Sequence, residues 1–291
     1  MDWSGWIDGC SSKAGIPLNK MNQYSSVATT KALSITDLAA MKQRGEKISC
    51  LTAYDAAFSA LIDKVGIDMM LVGDSLGMVI QGHNTTLPVT ISDMVYHARC
   101  VSNARQRAFI IADLPFMSYP TPAIAAKNAA KLIQVGGAQM VKLEGPRIDC
   151  VSFLVDQGIP VCGHLGLLPQ SINQLGSYKV QGREQAAAEK MLADAQQLQH
   201  AGAGLLVLEC VPATLAQDIS SQLTIPVIGI GAGVECDGQV LVLYDMLNIG
   251  SIKRPRFSRN FMSDAANIEE AINAYHQAVK QSRFPAAEHS F

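Results

Sequence analysis

A chain of 291 residues with 48% hydrophobic and 16% charged residues can bury a large core, and its length is typical of one barrel-sized domain. The formal net charge of −2 and a pI near 6.3 give no general attraction to phosphate backbones or anionic lipid, so we expect neither nucleic acid nor a membrane as a partner. The seven scattered cysteines form no C-x-x-C pair and no apolar run is long enough to cross a bilayer, which together predict a reduced, cytoplasmic protein.

The chain begins with a segment that lacks a sustained hydrophobic period. Residues 1–33 are rich in Ser, Thr and Asn, and their two tryptophans stand alone. We interpret them as an N-terminal arm, poorly ordered, that precedes a catalytic domain over residues 34–291. That domain opens with a predicted helix at Ile35, for which either Ser34 or Thr36 can supply the N-cap.

Beyond this helix, eight short runs rich in Val, Ile and Leu recur, separated by polar turns and Ala-rich segments of helical period. Runs that are apolar throughout are typical of strands buried on both faces, and helices between them indicate parallel crossovers. Eight such units favour a single (β/α)8 TIM barrel over an open doubly wound sheet. The predicted strands are 48–53, 69–73, 108–112, 139–143, 159–162, 205–209, 226–230 and 239–244.

The connections differ in their length and composition. Predicted helices over 122–135 and 184–200 both end at glycine-containing pairs. The connections 74–107 and 163–184 are longer than a barrel needs and carry many Gly, Pro and Asn residues. We predict that these two loops provide substrate contacts or a lid on the catalytic face.

Ionisable residues stand at the ends of successive predicted strands. The carboxyl ends of barrel strands converge, so side chains that are distant in sequence would ring one mouth. The predicted ring comprises Asp74, Asp113, Lys142, Glu144, His164 and Glu209.

Three converging carboxylates repel one another, and an oxygen-only ligand set suits Mg²⁺ or Mn²⁺ better than zinc. Such an ion could chelate the carboxylate and keto oxygens of a 2-oxo acid and stabilise the enolate formed when the neighbouring carbon loses a proton. The base for that proton would be Glu209 or His164.

Each residue also has a structural interpretation. Asp74 or Asp113 taken alone would be a helix cap, and Lys142 could form a structural ion pair with Glu144 or Asp113. The recurrence on successive strands favours a site. For His164 the functional and structural interpretations are equally weighted.

Other conspicuous residues favour structural roles. His83 is as well explained by loop capping as by chemistry, and Cys210 is interpreted as a core residue. The run Gly229-Ile-Gly-Ala-Gly233 departs from the G-x-G-x-x-G pattern and is a weak phosphate-loop signal. The basic segment 253–259 is interpreted as a solvated loop, with attraction of an anionic cosubstrate tail as the minority hypothesis.

Eight sequence blocks, in order, resemble the 3-methyl-2-oxobutanoate hydroxymethyltransferase family, also called ketopantoate hydroxymethyltransferase. The similarity runs from about Ile35 to Phe291, whereas residues 1–33 have no recognised counterpart. The blocks are Leu71-Val-Gly-Asp-Ser-Leu-Gly-Met78, Gly82-His83 with Thr86-Leu-Pro-Val-Thr90, Ala112-Asp-Leu-Pro-Phe-Met117, Val141-Lys-Leu-Glu-Gly145, Pro160-Val-Cys-Gly-His-Leu-Gly166, Tyr178-Lys-Val-Gln-Gly182, Leu208-Glu-Cys-Val-Pro212 and Ile228-Gly-Ile-Gly-Ala-Gly233.

The resemblance implies a barrel of the phosphoenolpyruvate/pyruvate type that depends on Mg²⁺ and moves a one-carbon unit from 5,10-methylenetetrahydrofolate to 3-methyl-2-oxobutanoate. The product would be 2-dehydropantoate, on the pathway to pantothenate and coenzyme A. It further implies a homo-oligomer, a decamer in this family. The implied site residues are Asp74, Asp113 and Glu144 for the metal, Asp74, Ser75, Asp113, Lys142 and His164 for the substrate, and Glu209 as proton acceptor.

Two rival functions remain open at this point. One is a folate-independent 2-oxo-acid lyase or aldolase on the same barrel, although the K-K-C-G-H-type loop of isocitrate-lyase-like enzymes is missing from the sequence. The other is a metabolite-binding barrel without catalysis. A base beside a metal site argues against the second, since binding alone has little need of one.

Overall fold

The computed structural model describes residues 31–250 and 254–291, which contain a closed barrel of eight parallel strands. Each strand pairs with the next, and β8 pairs with β1. The predicted (β/α)8 fold is confirmed. The strands are β1 (Ile48–Thr52), β2 (Met69–Val72), β3 (Phe109–Asp113), β4 (Met140–Glu144), β5 (Val161–Gly166), β6 (Leu205–Glu209), β7 (Val227–Ile230) and β8 (Gly238–Leu241).

Helices lie between the strands and before the barrel. Each of the two helices predicted with explicit bounds is confirmed to within a residue. The helices are α1 (Ile35–Gln43), α2 (Ala56–Val65), α3 (Leu76–Val79), α4 (Ile91–Ala104), α5 (Pro122–Gln134), α6 (Ile148–Asp156), α7 (Ile172–Leu175), α8 (Gln185–His200), α9 (Ala213–Gln222), α10 (Leu243–Met246) and α11 (Ile268–Lys280).

The helix α1 closes the lower end of the barrel, the end at which the strands begin. Ser34 is its N-cap, and a capping box with Asp37 satisfies the backbone N–H groups of both residues. Leu38 and Met41 are buried in the same cluster as the side chains that fill the barrel interior. The predicted helix start at Ile35 is therefore confirmed, and of the two possible caps Ser34 is used.

Buried apolar side chains form two clusters, one on each side of the sheet. The interior cluster draws on every second residue of a strand, as Phe109 and Ile111 show in β3, and the outer cluster joins the opposite strand faces to the helices. This double burial explains why the strands read as continuous apolar runs.

The fifth strand differs from its predicted bounds of 159–162, because it continues to Gly166. His164 was expected to follow this strand but lies inside it, paired with Glu144 of β4. Gly163 and Gly166 are atypical of strands, so the sequence pattern did not indicate that β5 continues beyond residue 162. A Cβ atom on Gly163 would stand 3.0 Å from Leu198 Cδ1, so this glycine allows α8 to pack closely on the sheet.

The predicted strand 239–244 was also too long, because β8 ends at Leu241 and the chain then turns into α10. Leu243 lies in the outer cluster, and its backbone N–H donates to Thr52 Oγ1 at 3.0 Å. An apolar run can be buried as a helix turn as readily as in a strand, so the run alone did not mark the boundary.

The long connection after β2 is only partly a loop. Its second half is α4, whose N-cap Thr90 forms a capping box with Asp93. The irregular part therefore shrinks to the residues around α3, and these lie beside the mouth of the barrel.

The described chain is anchored from its first residues. The Leu33 backbone N–H donates to the Arg107 carbonyl at 2.8 Å, and Gln139 Nε2 donates to the Leu33 carbonyl at 3.1 Å. Residues 1–30 of the predicted arm lie outside the described residues. Within 31–250 and 254–291, we find no helix whose length and hydropathy would allow it to span a bilayer.

Candidate active site

The predicted ring of ionisable residues is assembled at the upper end of the barrel, where the strands end. The same alternation that buries Phe109 and Ile111 in the interior carries Asp113 inward one step higher, and Met140 likewise precedes Lys142 and Glu144. Strand register then sets the neighbours, because Asp113 is paired with Lys142. We call Asp74, Asp113, Lys142, Glu144, His164 and Glu209 the mouth cluster.

Lys142 forms the shortest ion pair of the mouth cluster. Its Nζ lies 2.8 Å from Asp113 Oδ1, and both side chains are about 5% exposed or less. Burial alone would lower the pKa of Lys142, but the charges of Asp113, Glu144 and Asp74 outweigh it and raise that pKa. The lysine therefore remains a buried cation, and of its two possible carboxylate partners Asp113 is the closer.

The surroundings of Asp74 show that carboxylates outnumber cationic side chains in the mouth cluster. Its backbone N–H donates to Asp113 Oδ2 at 3.1 Å, which places the two carboxylates side by side. Burial, and then the charges of Asp113 and Glu144, raise the pKa of Asp74 well above its usual range. One lysine thus faces three buried carboxylates, and their mutual repulsion is not fully neutralised.

His164 and Glu209 form the other side of the mouth cluster. His164 Nδ1 lies 3.6 Å from Glu144 Oε1 and 3.5 Å from Lys142 Nζ, while Nε2 lies 3.4 Å from Glu209 Oε2. Burial and the Lys142 charge act to lower the pKa of His164, but the two glutamates prevail and raise it to about 8. The Glu209 side chain is 16% exposed against 4% for Glu144, so it is the glutamate that reaches toward solvent.

Ser75 follows Asp74 and lies at the edge of the mouth cluster. Its Oγ is 2.8 Å from the hydroxyl of Tyr54, which is buried. Gly73 makes this turn possible, since a Cβ atom there would stand 2.8 Å from Ser75 Oγ. Ser75 is thus held near the carboxylates and remains partly accessible.

Two buried residues of the site were missed from the sequence, namely Tyr119 and Gln170. Gln170 Nε2 donates to Asp74 Oδ2 at 2.8 Å, and the Gln170 backbone N–H donates to Glu144 Oε2 at 3.0 Å. Tyr119 donates its hydroxyl hydrogen to Gln170 Oε1. Tyr119 lies in the irregular segment after β3 and Gln170 in a single 3-10 turn after β5, where neither periodicity nor charge distinguishes them.

Several conspicuous sequence features stay outside the mouth cluster. His83 is exposed on the loop after α3. Cys210 is buried, and burial followed by the charge of Glu209 raises the pKa of its thiol, which disfavours a nucleophile. Gly231 and Gly233 adopt positive φ angles where Phe257 and Ala213 approach closely, so tight packing accounts for this glycine run.

The arginines of the basic segment have partners within the protein. Arg256 Nε donates to the Glu288 carbonyl at 3.0 Å and its guanidinium stacks over Phe291. Arg254 donates to the Ser258 carbonyl, and Arg259 pairs with Asp264. These contacts favour the structural interpretation of the loop, whose Lys253 lies outside the described residues.

The chemistry of the mouth cluster suits a hard divalent cation, since its buried carboxylates supply only oxygen ligands and an excess of negative charge. In the described parts of the chain, however, no three His, Cys, Asp or Glu side chains already stand in an arrangement that could hold a metal ion. Lys142 and Gln170 engage the carboxylate oxygens instead. A bound ion would therefore require side-chain rearrangements.

Two cavities open at the mouth side of the barrel. A cavity of about 270 Å³ borders Glu144 and Gln170 and is walled by apolar side chains that include Phe116 and Leu168. A second, wider depression of about 570 Å³ lies along residues 178–187. Of these two cavities, the first borders the mouth cluster, at Glu144.

Solved structures with a similar fold define the class of barrel. The chain superposes on 2,3-dimethylmalate lyase, described as a member of the PEP mutase/isocitrate lyase superfamily, with a TM-score of 0.52, 15% identity and coverage of 86% of this chain and 88% of that one. It also matches phosphonopyruvate hydrolase in complex with oxalate and Mg²⁺, with a TM-score of 0.56, 9% identity and coverage of 88% and 92%. The protein therefore shares the closed (β/α)8 barrel fold of these two enzymes.

Sequence comparison then identifies the family. The 3-methyl-2-oxobutanoate hydroxymethyltransferase of Nitrosococcus oceani is 58% identical over 261 residues, which cover 89% of this chain and 99% of that protein. The enzyme of the same name from Methylobacillus flagellatus is 58% identical over 262 residues, or 89% and 100% of the two chains. The profile of the family described as ketopantoate hydroxymethyltransferase matches residues 32–287. The chain belongs to this family and is a hydroxymethyltransferase.

Proposed function

We propose that the protein transfers a hydroxymethyl unit from 5,10-methylenetetrahydrofolate to 3-methyl-2-oxobutanoate, giving 2-dehydropantoate and tetrahydrofolate in pantothenate biosynthesis. The observation that carries this proposal is the buried mouth cluster, in which one lysine and three carboxylates adjoin the more exposed Glu209. The names of the relatives specify the 2-oxo acid.

Asp74, Asp113 and Glu144 are the residues that would hold a Mg²⁺ ion. When bound, the ion would neutralise the surplus carboxylate charge and polarise the keto group of the substrate. Oxygen-only donors and the raised pKa of Asp74 support this assignment, since a cation would relieve the repulsion that raises it. Phosphonopyruvate hydrolase, which shares the fold, has been crystallised with Mg²⁺ and oxalate.

The oxo acid itself is proposed to lie against Lys142, Ser75 and His164. Lys142 offers a fixed positive charge for an anionic substrate, and Ser75 Oγ offers a hydroxyl that Tyr54 already orients. Because Lys142 and His164 are buried, their electrostatic attraction for an anion is screened less than it would be in water. They would bind the substrate with its C3 hydrogen directed toward Glu209.

Glu209 is the proposed base that removes this hydrogen. Of the two candidates left open by the sequence, His164 is the weaker, because its pKa of about 8 makes it largely protonated at neutral pH and a protonated imidazole cannot accept a proton. His164 Nε2 instead lies 3.4 Å from Glu209 Oε2, where the positive charge of the imidazolium attracts the carboxylate. The carbanion formed at C3 then attacks the methylene carbon of the folate as one of its two C–N bonds breaks. Cleavage of the second C–N bond releases tetrahydrofolate, water adds to the methylene carbon as the hydroxyl group, and the two folate nitrogens take up the C3 proton and the remaining proton of the water.

The folate is proposed to approach through the cavity beside Glu144. Its apolar wall at Phe116 and Leu168 suits a flat ring system, and its floor adjoins the mouth cluster. We further propose that the enzyme acts in the cytoplasm as a homo-oligomer, a decamer by resemblance to its family. Size-exclusion chromatography with light scattering measures that assembly directly.

Exchange of the C3 hydrogen of 3-methyl-2-oxobutanoate into deuterated water, followed by NMR, tests the proposal. We expect exchange that depends on Mg²⁺, and formation of 2-dehydropantoate once methylenetetrahydrofolate is added. Exchange without this product would favour a folate-independent lyase or aldolase. Absence of exchange, together with tight binding of the oxo acid, would favour a binding protein without catalysis.

A further inference from the structure

Tyr119 and Gln170 form a buried chain of hydrogen bonds that ends on the carboxylates of the mouth cluster. They are 7% and 6% exposed. The Glu144 backbone N–H donates to Tyr119 Oη at 3.3 Å, Tyr119 donates to Gln170 Oε1 at 2.5 Å, and Gln170 Nε2 donates to Asp74 Oδ2 at 2.8 Å. A second hydrogen of Nε2 is donated to the Leu114 carbonyl at 3.0 Å.

The donor and the acceptor of every hydrogen bond in this series can be assigned. A backbone N–H can only donate, so Tyr119 must accept from Glu144 and its own hydrogen is free for Gln170. The Asp74 carboxylate and the Leu114 carbonyl both accept from Gln170 Nε2, so the carbonyl end of the amide faces Tyr119 and accepts its hydrogen. Without the tyrosine hydroxyl, Gln170 Oε1 would lose this donor and the amide would be held at its NH₂ end alone.

Gln170 holds one oxygen of each of two carboxylates. Its side chain holds Oδ2 of Asp74, and its backbone N–H holds Oε2 of Glu144 at 3.0 Å. Oδ1 of Asp74 and Oε1 of Glu144 are left free of this residue, and Oε1 faces His164 at 3.6 Å. Residue 170 thus contacts both proposed metal ligands, Asp74 through the glutamine side chain and Glu144 through the backbone N–H.

We propose that Tyr119 and Gln170 are positioning residues that orient the carboxylates of Asp74 and Glu144 for the divalent cation, Tyr119 acting through Gln170. This inference rests on the metal site of the proposed function. Hydrogen bonds to metal ligands fix their geometry, and loss of such a bond typically lowers metal affinity about 10- to 100-fold.

Calorimetric titration with Mn²⁺ tests this proposal without any need for turnover. We expect Gln170→Met, which keeps the length of the side chain but removes the amide, to weaken Mn²⁺ binding roughly 10- to 100-fold. Tyr119→Phe should weaken it by a smaller factor. The double variant should bind no worse than Gln170→Met alone, because both changes break one chain.

Tyr275→Phe is the matched control. The Tyr275 hydroxyl is also buried and donates to the carbonyls of Cys50 and Gln239, away from Asp74 and Glu144. We expect this variant to lose thermal stability as Tyr119→Phe does, yet to bind Mn²⁺ within about twofold of the wild type. Equal weakening in both tyrosine variants would assign the effect to general destabilisation and overturn the proposal.

Further outcomes separate this inference from the proposed function. Mn²⁺ binding by the wild type and equally by Gln170→Met would overturn the inference alone. No binding by the wild type would remove the proposed metal site and the inference with it. Additive losses in the double variant would refute the action of Tyr119 through Gln170. If Gln170→Met does not fold, Tyr119→Phe against Tyr275→Phe decides the question.

Discussion

The two ends of the barrel bury ionisable groups in opposite ways. At the lower end, Asp68 accepts from Ser49 and pairs with Arg107 at 3.0 Å and Lys280 at 2.7 Å, so a single buried carboxylate has two cations. At the upper end, three buried carboxylates share one lysine. We call Ser49, Asp68, Arg107 and Lys280 the lower cluster.

The pKa directions express this contrast. Burial acts to raise the pKa of Asp68, but Lys280, Ser49 and Arg107 outweigh it and hold the pKa below its ordinary value. For Asp74, burial and its acidic neighbours act together and raise the pKa. The ionised carboxylate of Asp68 therefore stabilises the fold, whereas the crowded carboxylates of the mouth cluster lower the stability of the fold. Such a loss of stability is characteristic of functional sites.

The largest expected effect is that of Glu209→Gln in the mouth cluster. Removal of the base should lower kcat by about 10²- to 10⁴-fold, because glutamine cannot accept the C3 proton. Metal binding should be largely retained, since Glu209 is not a proposed ligand. Hydrogen exchange at C3 and Mn²⁺ titration measure the two properties, and wild-type exchange in this variant would exclude Glu209 from the mechanism.

Asp113→Ala should weaken binding of the metal and of the oxo acid together, each on the order of tenfold or more. The reason is that the ion is proposed to bridge protein and substrate, so that loss of a ligand affects both. Separate titrations with Mn²⁺ and with 3-methyl-2-oxobutanoate provide the check. Loss of only one affinity would contradict the bridging arrangement, and Asp113→Asn, which retains an oxygen ligand, is the matched milder variant.

In the lower cluster, Asp68→Asn should lower the free energy of unfolding by about 3 kcal/mol at pH 7 and leave kcat unchanged. Because the folded-state pKa is depressed, this stabilisation is present above the ordinary value of 3.8 and is lost as the pH falls below it toward the folded pKa. Urea unfolding of both proteins from pH 7 to pH 3 should show the difference shrinking. A constant difference would refute the electrostatic origin.

The same substitution in the mouth cluster should have the opposite sign. Asp74→Asn removes one of three mutually repelling carboxylates and should raise the unfolding free energy of the metal-free protein by about 1 kcal/mol, while transferase activity falls. Thermal unfolding without divalent cations provides the measurement. Destabilisation comparable to that of Asp68→Asn would mean that the charge of Asp74 stabilises the fold as the charge of Asp68 does.

The smallest effect is expected at the rim, for Arg256→Glu. Arg256 is engaged with the Glu288 carbonyl and the Phe291 ring, so it is not available to an anionic cosubstrate. We expect the KM for methylenetetrahydrofolate to change by less than about twofold, as is usual for a distant surface substitution. A large increase in that KM would revive the hypothesis that the basic segment attracts the folate tail.

The alternation of residues along the strands made much of the site predictable. Asp113, Lys142, Glu144 and Glu209 could be placed at one mouth because each ends or nearly ends an apolar run, and parallel strands of a barrel converge. The predicted location of His164 at the mouth agrees with the structure even though the predicted fifth strand ended too early. The sequence could not show which carboxylate would pair with Lys142, because strand register decides it.

Local sequence determined the elements of this protein, namely eight doubly buried strands, their helices and the ionisable strand ends. Only the tertiary structure decided the roles of Tyr119 and Gln170, which come from different loops and meet 51 positions apart in sequence. It also decided that Asp68 is neutralised while Asp74 is not. The physical reason is that periodicity is local along the chain, whereas hydrogen-bond partners and electrostatic neighbours depend on which segments the closed barrel brings together.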